Sequence, residues 1–154
     1  MLITYNEFIS SGMPTSDDIS SYEVEAAINA VEEFYLKQRL TDEHYIDLSD
    51  NPTDPTNQIL LEGGNIENKH YAGLKNALYH MVFAYMLVDG YRLTRYSSVE
   101  KTSEFSKGAD PEDLNETARR HWNIGISFVQ EVQRHYGLNP AEHSGNDMFE
   151  LLLW

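Results

Sequence analysis

The stretch that decides the fold is residues 110–137, DPEDLNETARRHWNIGISFVQEVQRHYG. Asp110 can cap a helix. Pro111 suits the first helical position, because the backbone N–H that proline lacks would have no partner in the first turn of a helix. Behind them, apolar residues recur every three or four positions, which is the spacing of a single helix face. Gly137 then supplies a left-handed stop. The pattern predicts a helix over 111–136 whose buried face is Leu114, Ala118, Trp122, Gly125, Val129, Val132 and Tyr136.

An earlier helix is indicated by Ser20 and Glu23, which have the spacing of a capping box. Apolar residues follow at helical intervals as far as about residue 40, and acids such as Glu32 occupy the other face. The pattern predicts a helix over 21–39 with an apolar stripe of Val24, Ala27, Ile28, Val31, Phe34 and Tyr35.

A third helical pattern runs from Ile66 to near Gly90 and becomes apolar on more than one side towards its end. Since a helix that is apolar all round is buried, we expect this element to be the central helix of the fold. Gly125 lies within the face predicted for the later helix, where the missing side chain is expected to let another helix approach closely.

Together these patterns predict an all-α fold, a small helical bundle with two long helices. Shorter helices are expected after Thr4, which has Glu7 at capping-box spacing, and after Thr41. Residues 91–109 lose the helical period and are β-prone, which indicates one projecting loop or β-hairpin. The helical domain is assigned to residues 1–140, and residues 141–154 to an extended or helical C-terminal arm.

Charge is divided unevenly along a chain whose net charge is −14. Residues 1–65 hold thirteen acids and two bases, a difference of −11, whereas residues 91–108 hold four bases and two acids, a difference of +2. So acidic a chain does not suit electrostatic binding of nucleic acid, which needs clustered Lys and Arg. The basic stretch is either a solvated loop or a contact for an acidic partner, including the acidic half of another copy. Head-to-tail contacts of that kind close into rings or grow into filaments.

The C-terminal residues 148–154, MFELLLW, place five large apolar side chains among the last six positions. Each such side chain gains about 1.5–3 kcal/mol when it is fully buried, so we expect this end to be ordered in its working state. Two interpretations stay open. The segment either folds back onto its own core or docks on a neighbouring subunit or partner.

Motifs for catalysis are missing from the sequence. It contains no phosphate-binding loop, nucleophile elbow or zinc-protease signature, and its lack of cysteine excludes disulfides and thiolate ligands. Glu67 and His70 have the i, i+3 spacing found in di-iron bundles, but those sites need the pair twice with two further glutamates. We therefore predict no catalytic residue, cofactor or metal site. No apolar run reaches the roughly 20 residues of a membrane helix.

Four segments of the chain match one family in order. They are SSYEVEAAI at 20–28 with EEFY at 32–35, ALY and AYM within 77–86, GYRLTRYSSV at 90–99 with Lys101, and RRHWNIG at 119–125. These segments resemble the head–tail connector proteins (adaptor or neck-ring proteins) of tailed bacteriophages, those of crAss-like phages in particular. The likeness covers roughly residues 1–140 in the order of elements.

The resemblance implies a structural virion protein that forms a homo-oligomeric ring, usually of twelve copies, beneath the portal protein. Such a ring extends the DNA channel at the head–tail junction, supports the next neck or tail ring, and is assembled in the host cytoplasm. Double-stranded DNA would pass an acidic wall without specific binding, since that wall repels phosphates, and no membrane partner is expected. The alternatives are an acidic protein-binding or DNA-mimic module and, less favoured, a carboxylate-bundle metalloenzyme.

Candidate interface residues come from the basic stretch and from the apolar C-terminus. Basic side chains interleaved with tyrosine suit an acidic partner, and large apolar side chains suit a docking arm. The predicted interface residues are Arg92, Arg95, Tyr96, Lys101, Lys107, Met148, Phe149, Leu151, Leu152, Leu153 and Trp154.

Overall fold

A computed structural model describes residues 1–16, 19–89, 91–93, 99–101 and 111–140, with backbone alone for 91–93, 99–101 and 111–113. Within these residues the chain is mainly α-helical, with six helices and two short antiparallel strand pairs. The first helices are α1 (Tyr5–Ser10), α2 (Ser21–Val31, continued by a π-helical turn Glu32–Leu36 and by Lys37–Leu40), α3 (Asp42–Asp50) and α4 (Pro55–Glu62). They are followed by β1 (Gly64–Ile66), β2 (Lys69–Tyr71), α5 (Leu74–Val88), β3 (Tyr91–Leu93), β4 (Val99–Lys101) and α6 (Pro111–His135).

The long helix α6 confirms the face predicted from residues 110–137. Its predicted apolar residues from Leu114 to Val132 are buried against the core, while Tyr136 is half-buried just beyond the helix end. The helix stops as expected, because the N–H of Leu138 donates to the carbonyl of Gln133 at 2.9 Å and that of Gly137 to the carbonyl of Arg134 at 3.1 Å. These two bonds form the Schellman motif, which satisfies carbonyls that the end of a helix leaves unpaired.

The central helix is α5, which packs along α6 in the largest contact between helices in the described residues. It is buried on several sides, and its buried residues are Leu74, Ala77, Leu78, Met81, Val82, Phe83, Ala84, Met86 and Leu87. Gly125 of α6 lies directly against α5, since a Cβ built there would be 2.2 Å from Cγ of Met81 and 3.0 Å from the carbonyl oxygen of Ala77. The expected close approach at Gly125 is therefore confirmed.

The start that the sequence predicts for the central helix, Ile66, is wrong. Residues 64–71 form the hairpin β1–β2, in which Ile66 pairs with Lys69, and α5 begins only at Leu74. Gly73 separates the two elements at φ +96°, with a virtual Cβ 2.6 Å from the backbone nitrogen of Gly63. Because L-residues rarely adopt this conformation, the chain turns here instead of continuing one helix.

Two residues of α2 are placed on the wrong face by the sequence. Glu32 is buried and Phe34 is 63% exposed, whereas the periodicity predicts the reverse. The cause is the π-helical turn Glu32–Leu36, which adds about one residue to that turn. The buried stripe therefore shifts after Val31, and Tyr35, Leu36 and Leu40 line the core in place of Phe34. Tyr35 meets Trp122 of α6 edge to face, with ring centroids 5.1 Å apart.

The caps of the short helices agree in part with the prediction. At α1 the Thr4 hydroxyl accepts from the N–H of Glu7 and the Glu7 carboxylate accepts from the N–H of Thr4, at 3.2 and 2.7 Å. Thr41 precedes α3 without capping it through its side chain, and its backbone is at φ +68°. Asp54 caps α4, a helix that the sequence analysis does not predict, by accepting from the N–H of Thr56 at 3.0 Å.

The β-prone stretch after the central helix contains the antiparallel pair β3–β4, which lies against α5. A hairpin, one of the two predicted forms, is therefore present. Residues 94–98 and 102–110, and the predicted C-terminal arm 141–154, lie outside the described residues. None of the helices in the described part of the chain has the length and apolar character of a membrane span.

Candidate functional site

The basic interface residues fall partly on the strand pair β3–β4. Arg92 pairs with Glu100, and Tyr91 pairs with Lys101. Arg92 and Lys101 therefore lie on neighbouring strands, one step apart in register. The other predicted interface residues lie outside the described residues: Arg95, Tyr96, Lys107, Met148, Phe149, Leu151, Leu152, Leu153 and Trp154.

The Glu67 and His70 pair does not lie on a helix. Glu67 is in the turn between β1 and β2 at φ +53°, His70 is in β2, and both are exposed. The ring nitrogen Nδ1 of His70 is 3.0 Å from the side-chain oxygen of Asn65. Among the described residues, no group of three or more His, Cys, Asp or Glu side chains is arranged to hold a metal ion. The spacing that suggested a bundle ligand therefore belongs to a hairpin.

An acidic cleft lies where α3 turns into α4. Its polar lining is Asp47, Asp50, Asn51, Thr53, Asp54 and Asn57. Asn57 is buried, and its side-chain amide donates to the Asp47 carboxylate at 3.0 Å and to the carbonyl of Asn51 at 3.1 Å. Hydrogen bonds from Asn57 and from Asn51 lower the pKa of Asp47. These bonds join the end of α3 to the start of α4, so the cleft is explained by local structure.

Glu32 is a buried carboxylate that ties three segments together. It is 2% exposed, and it accepts from the N–H of Leu2 at 2.6 Å and from the hydroxyl of Tyr45 at 2.8 Å. Burial, followed by the hydrogen bond to Glu32, raises the pKa of Tyr45. A buried charge needs such partners, and here they connect the N-terminal segment, α2 and α3. The arrangement is structural, because its hydrogen bonds join elements of the fold to one another.

Two histidines meet across the contact between α5 and α6. Nδ1 of His80 is 2.8 Å from Nδ1 of His121, and the rings stack with centroids 5.0 Å apart. Phe83 and Phe128 contact the pair edge to face. Burial lowers the pKa of both rings, that of His121 to about 4. A hydrogen bond between two Nδ1 atoms requires one ring to donate its proton to the other, so each histidine is the polar partner of the other at the contact between α5 and α6.

The outer side of α2 exposes two large aromatic residues. Tyr22 is 80% exposed and Phe34 is 63% exposed, while the third exposed apolar side chain in this region, Ile46 at 54%, lies on α3. Single exposed apolar residues are ordinary, but two aromatics on one helix are a candidate contact surface. Helical spacing places Phe34 in the predicted apolar stripe and assigns no role to Tyr22. The position of Tyr22 could have been inferred from the cap at Ser20, which puts Tyr22 in the first turn and outside the apolar stripe.

Comparison with known proteins identifies a family for this chain. A family model described as a family of unknown function (DUF6712) matches residues 35–140. The match begins within the π-helical turn of α2 and extends past the end of α6. No curated protein and no solved structure matches the chain.

Proposed function

The chain belongs to the DUF6712 family, whose function is unknown, and we propose that this member is a structural virion protein that forms a ring, of twelve copies, between the portal and the tail. The ring extends the DNA channel and offers a platform for the next neck or tail component. The residues that resemble head–tail connector proteins motivate this assignment, and features of the described surface support it.

The observation that carries the proposal is the division of charge between separate elements. Helices α1 to α4 lie within residues 1–65, which sum to −11, and the strand pair β3–β4 lies within residues 91–108, which sum to +2. A cyclic ring with head-to-tail contacts needs two different, complementary faces on each subunit. Unlike charges on separate elements meet that requirement, and they also oppose the pairing of two identical faces.

The acidic helices also suit passage of DNA. Asp42 and Glu43 are exposed on α3. Since DNA is held mainly through neutralised phosphates, a wall of exposed carboxylates lets the duplex slide through without retaining it. The exposed carboxylates therefore favour a channel component over a DNA-binding protein, which would cluster Lys and Arg on the surface that meets DNA.

The proposal is tested by mixing the purified chain with the portal protein of its own genome and examining the mixture by negative-stain electron microscopy. We expect a second ring of density at one end of the portal, absent from portal alone. Reversing Arg92 and Arg95 to glutamate should reduce that density in a salt-sensitive way, because it removes the basic contact. Absence of the second ring, together with absence of the chain from purified particles by mass spectrometry, would refute the assignment.

A second candidate is an acidic module that imitates DNA, and the same net charge of −14 favours it. Such a module would bind a basic nuclease or polymerase and compete with DNA for it. Displacement of labelled DNA from such an enzyme by the chain, without any association with portal or particles, would favour the mimic over the ring protein.

A further inference from the structure

The outer side of α2 carries an exposed surface of mixed aromatic and small residues. We define the α2 outer face as Tyr22, Ala26, Asn29, Glu33 and Phe34, all of which are exposed. At about 100° per residue, the first four project within about 60° of one another around the helix. Phe34 follows Glu33 at the far end. Tyr22 and Phe34 are separated by about 18 Å of helix at a rise of about 1.5 Å per residue. The small side chains of Ala26 and Asn29 therefore lie between the two aromatic residues, together with Glu33.

The exposure of Phe34 is built into the backbone. The π-helical turn Glu32–Leu36 shifts the buried stripe onto Tyr35 and Leu36, and this leaves Phe34 on the outside. Tyr35 is then held against Trp122, with ring centroids 5.1 Å apart. A rotation of the helix that would bury Phe34 would break that contact, so Phe34 stays outside in the isolated subunit. Such π-helical insertions occur frequently at functional sites.

The charge around this face selects its partner. Glu25 flanks the face, and Glu33 lies on it in an ion pair with Lys37, in a half of the chain that has thirteen acids and two bases. Two α2 outer faces related by a twofold axis would bring the Glu25 carboxylates towards each other, which is unfavourable. Nucleic acid and anionic lipid are disfavoured for the same reason. Within the chain, the stretch 91–108 that contains β3–β4 is net positive and holds Arg92 and Lys101, whereas α6, which exposes Arg119 and Arg120, has four acids against three bases.

We propose that the α2 outer face is the contact surface for a second copy of this chain, which docks its basic strand pair β3–β4 against it. Tyr22 and Phe34 supply the apolar anchors, and the acids set the orientation. This proposal rests on the self-association in the proposed function and names the surfaces that form it. The contact is heterologous, because one copy contributes α2 and the next contributes β3–β4, so repetition generates a ring or a filament.

Disulfide trapping tests the contact, because the chain has no cysteine of its own. The variant Ala26→Cys is mixed with the variant Glu100→Cys under mild oxidation. In the matched control, the variant Ile46→Cys takes the place of Ala26→Cys, because Ile46 is exposed on α3 outside the face. We expect the 26–100 disulfide to form about tenfold faster than the 46–100 disulfide, because a specific contact holds the two thiols close together. Equal rates would overturn the proposal. So would fastest formation of the 26–26 disulfide, which would indicate a twofold contact.

Two further variants identify what drives the contact. Adding Tyr22→Ser and Phe34→Ser to the Ala26→Cys chain should lower the rate of the 26–100 disulfide to that of the 46–100 control. The circular dichroism spectrum and the melting temperature should stay unchanged, because both side chains are exposed. Glu25→Arg should also lower trapping to Glu100→Cys. Trapping should be restored when the partner chain additionally carries Arg92→Glu, since the charges are then exchanged. Full trapping by the serine variant, or no restoration by the charge exchange, would contradict the assignment of anchors and acids.

The outcomes separate this surface from the proposed function. If the 26–100 disulfide forms but the chain is absent from particles, the contact stands and the virion assignment falls. If a ring forms on the portal with the variant that carries Tyr22→Ser and Phe34→Ser, the ring assignment stands and the α2 outer face is wrong.

Discussion

The crossing of α5 and α6 at Gly125 gives a prediction that can be worked from the distances. Replacing Gly125 by alanine would place a methyl group 2.2 Å from Cγ of Met81, 2.9 Å from its Sδ, and 3.0 Å from the carbonyl oxygen of Ala77. The Met81 side chain is fully buried, so it can move away only into occupied space. The carbonyl of Ala77 belongs to the backbone of α5 and moves only if the helix moves.

Two effects of Gly125→Ala oppose each other. Alanine stabilises a helix interior relative to glycine by about 0.5–1 kcal/mol. Overpacking of a filled core costs about 1–3 kcal/mol, and contacts on both a side chain and a backbone atom favour the upper part of that range. We therefore expect Gly125→Ala to lower the free energy of unfolding by about 1–2 kcal/mol, the difference between the overpacking cost and the helix gain.

The measurement is urea unfolding followed by tryptophan fluorescence, to which the buried Trp122 contributes together with Trp154. The midpoint should fall while the denaturant dependence stays unchanged. Asn123→Ala, exposed on the same helix, is the matched control and should be neutral or slightly stabilising. In a double-mutant cycle, Gly125→Ala should cost less when Met81 is also alanine, because the new methyl group then enters the space left by Met81. A stabilising Gly125→Ala, with no coupling to Met81, would refute the close approach of the two helices.

Three other predictions concern the core, the histidines and the C-terminus. Leu114→Ala should lower the free energy of unfolding by about 2–4 kcal/mol, since Leu114 is 7% exposed; a loss below 1 kcal/mol in urea titrations, roughly the effect of a surface change, would contradict its burial. Folding lowers the pKa of His80 and of His121, that of His121 to about 4. The unfolded chain therefore binds more protons than the folded chain below the ordinary histidine pKa of about 6.5. The stability that the two histidines contribute above pH about 6.5 is lost as the pH falls from there towards 4. Unfolding titrations between these pH values should show a shallower pH dependence for a chain with both histidines changed to glutamine, and an unchanged slope would count against the pair. Deleting residues 148–154 should abolish binding to the portal in a pull-down while helical content by circular dichroism is kept; a cooperative loss of folding would instead assign the segment to the core.

The sequence predicted the elements whose ends are fixed by local chemistry. The face of α6, its Schellman stop at Gly137 and the capping box at Thr4 depend on residues within a few positions of one another, and all three are present. Helix α4 was missed although Asp54 and Pro55 repeat the Asp-Pro start that predicts α6. The same signal was available there, but Pro52 lies only three residues before Pro55, and two prolines so close together are also typical of a break between helices.

The errors have a different origin, because each depends on contacts distant in sequence. The late start of α5 depends on Gly73 fitting against Gly63, and the burial of Glu32 depends on Leu2 and Tyr45. No periodicity in a local window contains these partners. The pairing of His80 with His121 is of the same kind, since it requires the crossing of α5 and α6. Hydrophobic spacing could place each histidine at the edge of its helix face, but it could not place one against the other.

The error at Phe34 bears on the proposed contact surface. A π-helical turn in the middle of a helix interrupts its regular hydrogen bonding, and such turns occur frequently at functional sites. In α2 the turn buries Leu36 and the side chain of Glu32 in addition to Tyr35, and it exposes a phenylalanine whose burial would have been favourable. Local rules are expected to fail at sites under functional constraint. If Phe34 anchors a neighbouring copy, the apolar surface it exposes in the monomer is buried in the assembly, and the irregular turn is explained by that assembly. The variant with Tyr22→Ser and Phe34→Ser distinguishes a role in the assembly from a role in the monomer. A role in the assembly predicts an unchanged melting temperature and loss of the disulfide trapping. A role confined to the monomer predicts a changed melting temperature and unchanged trapping.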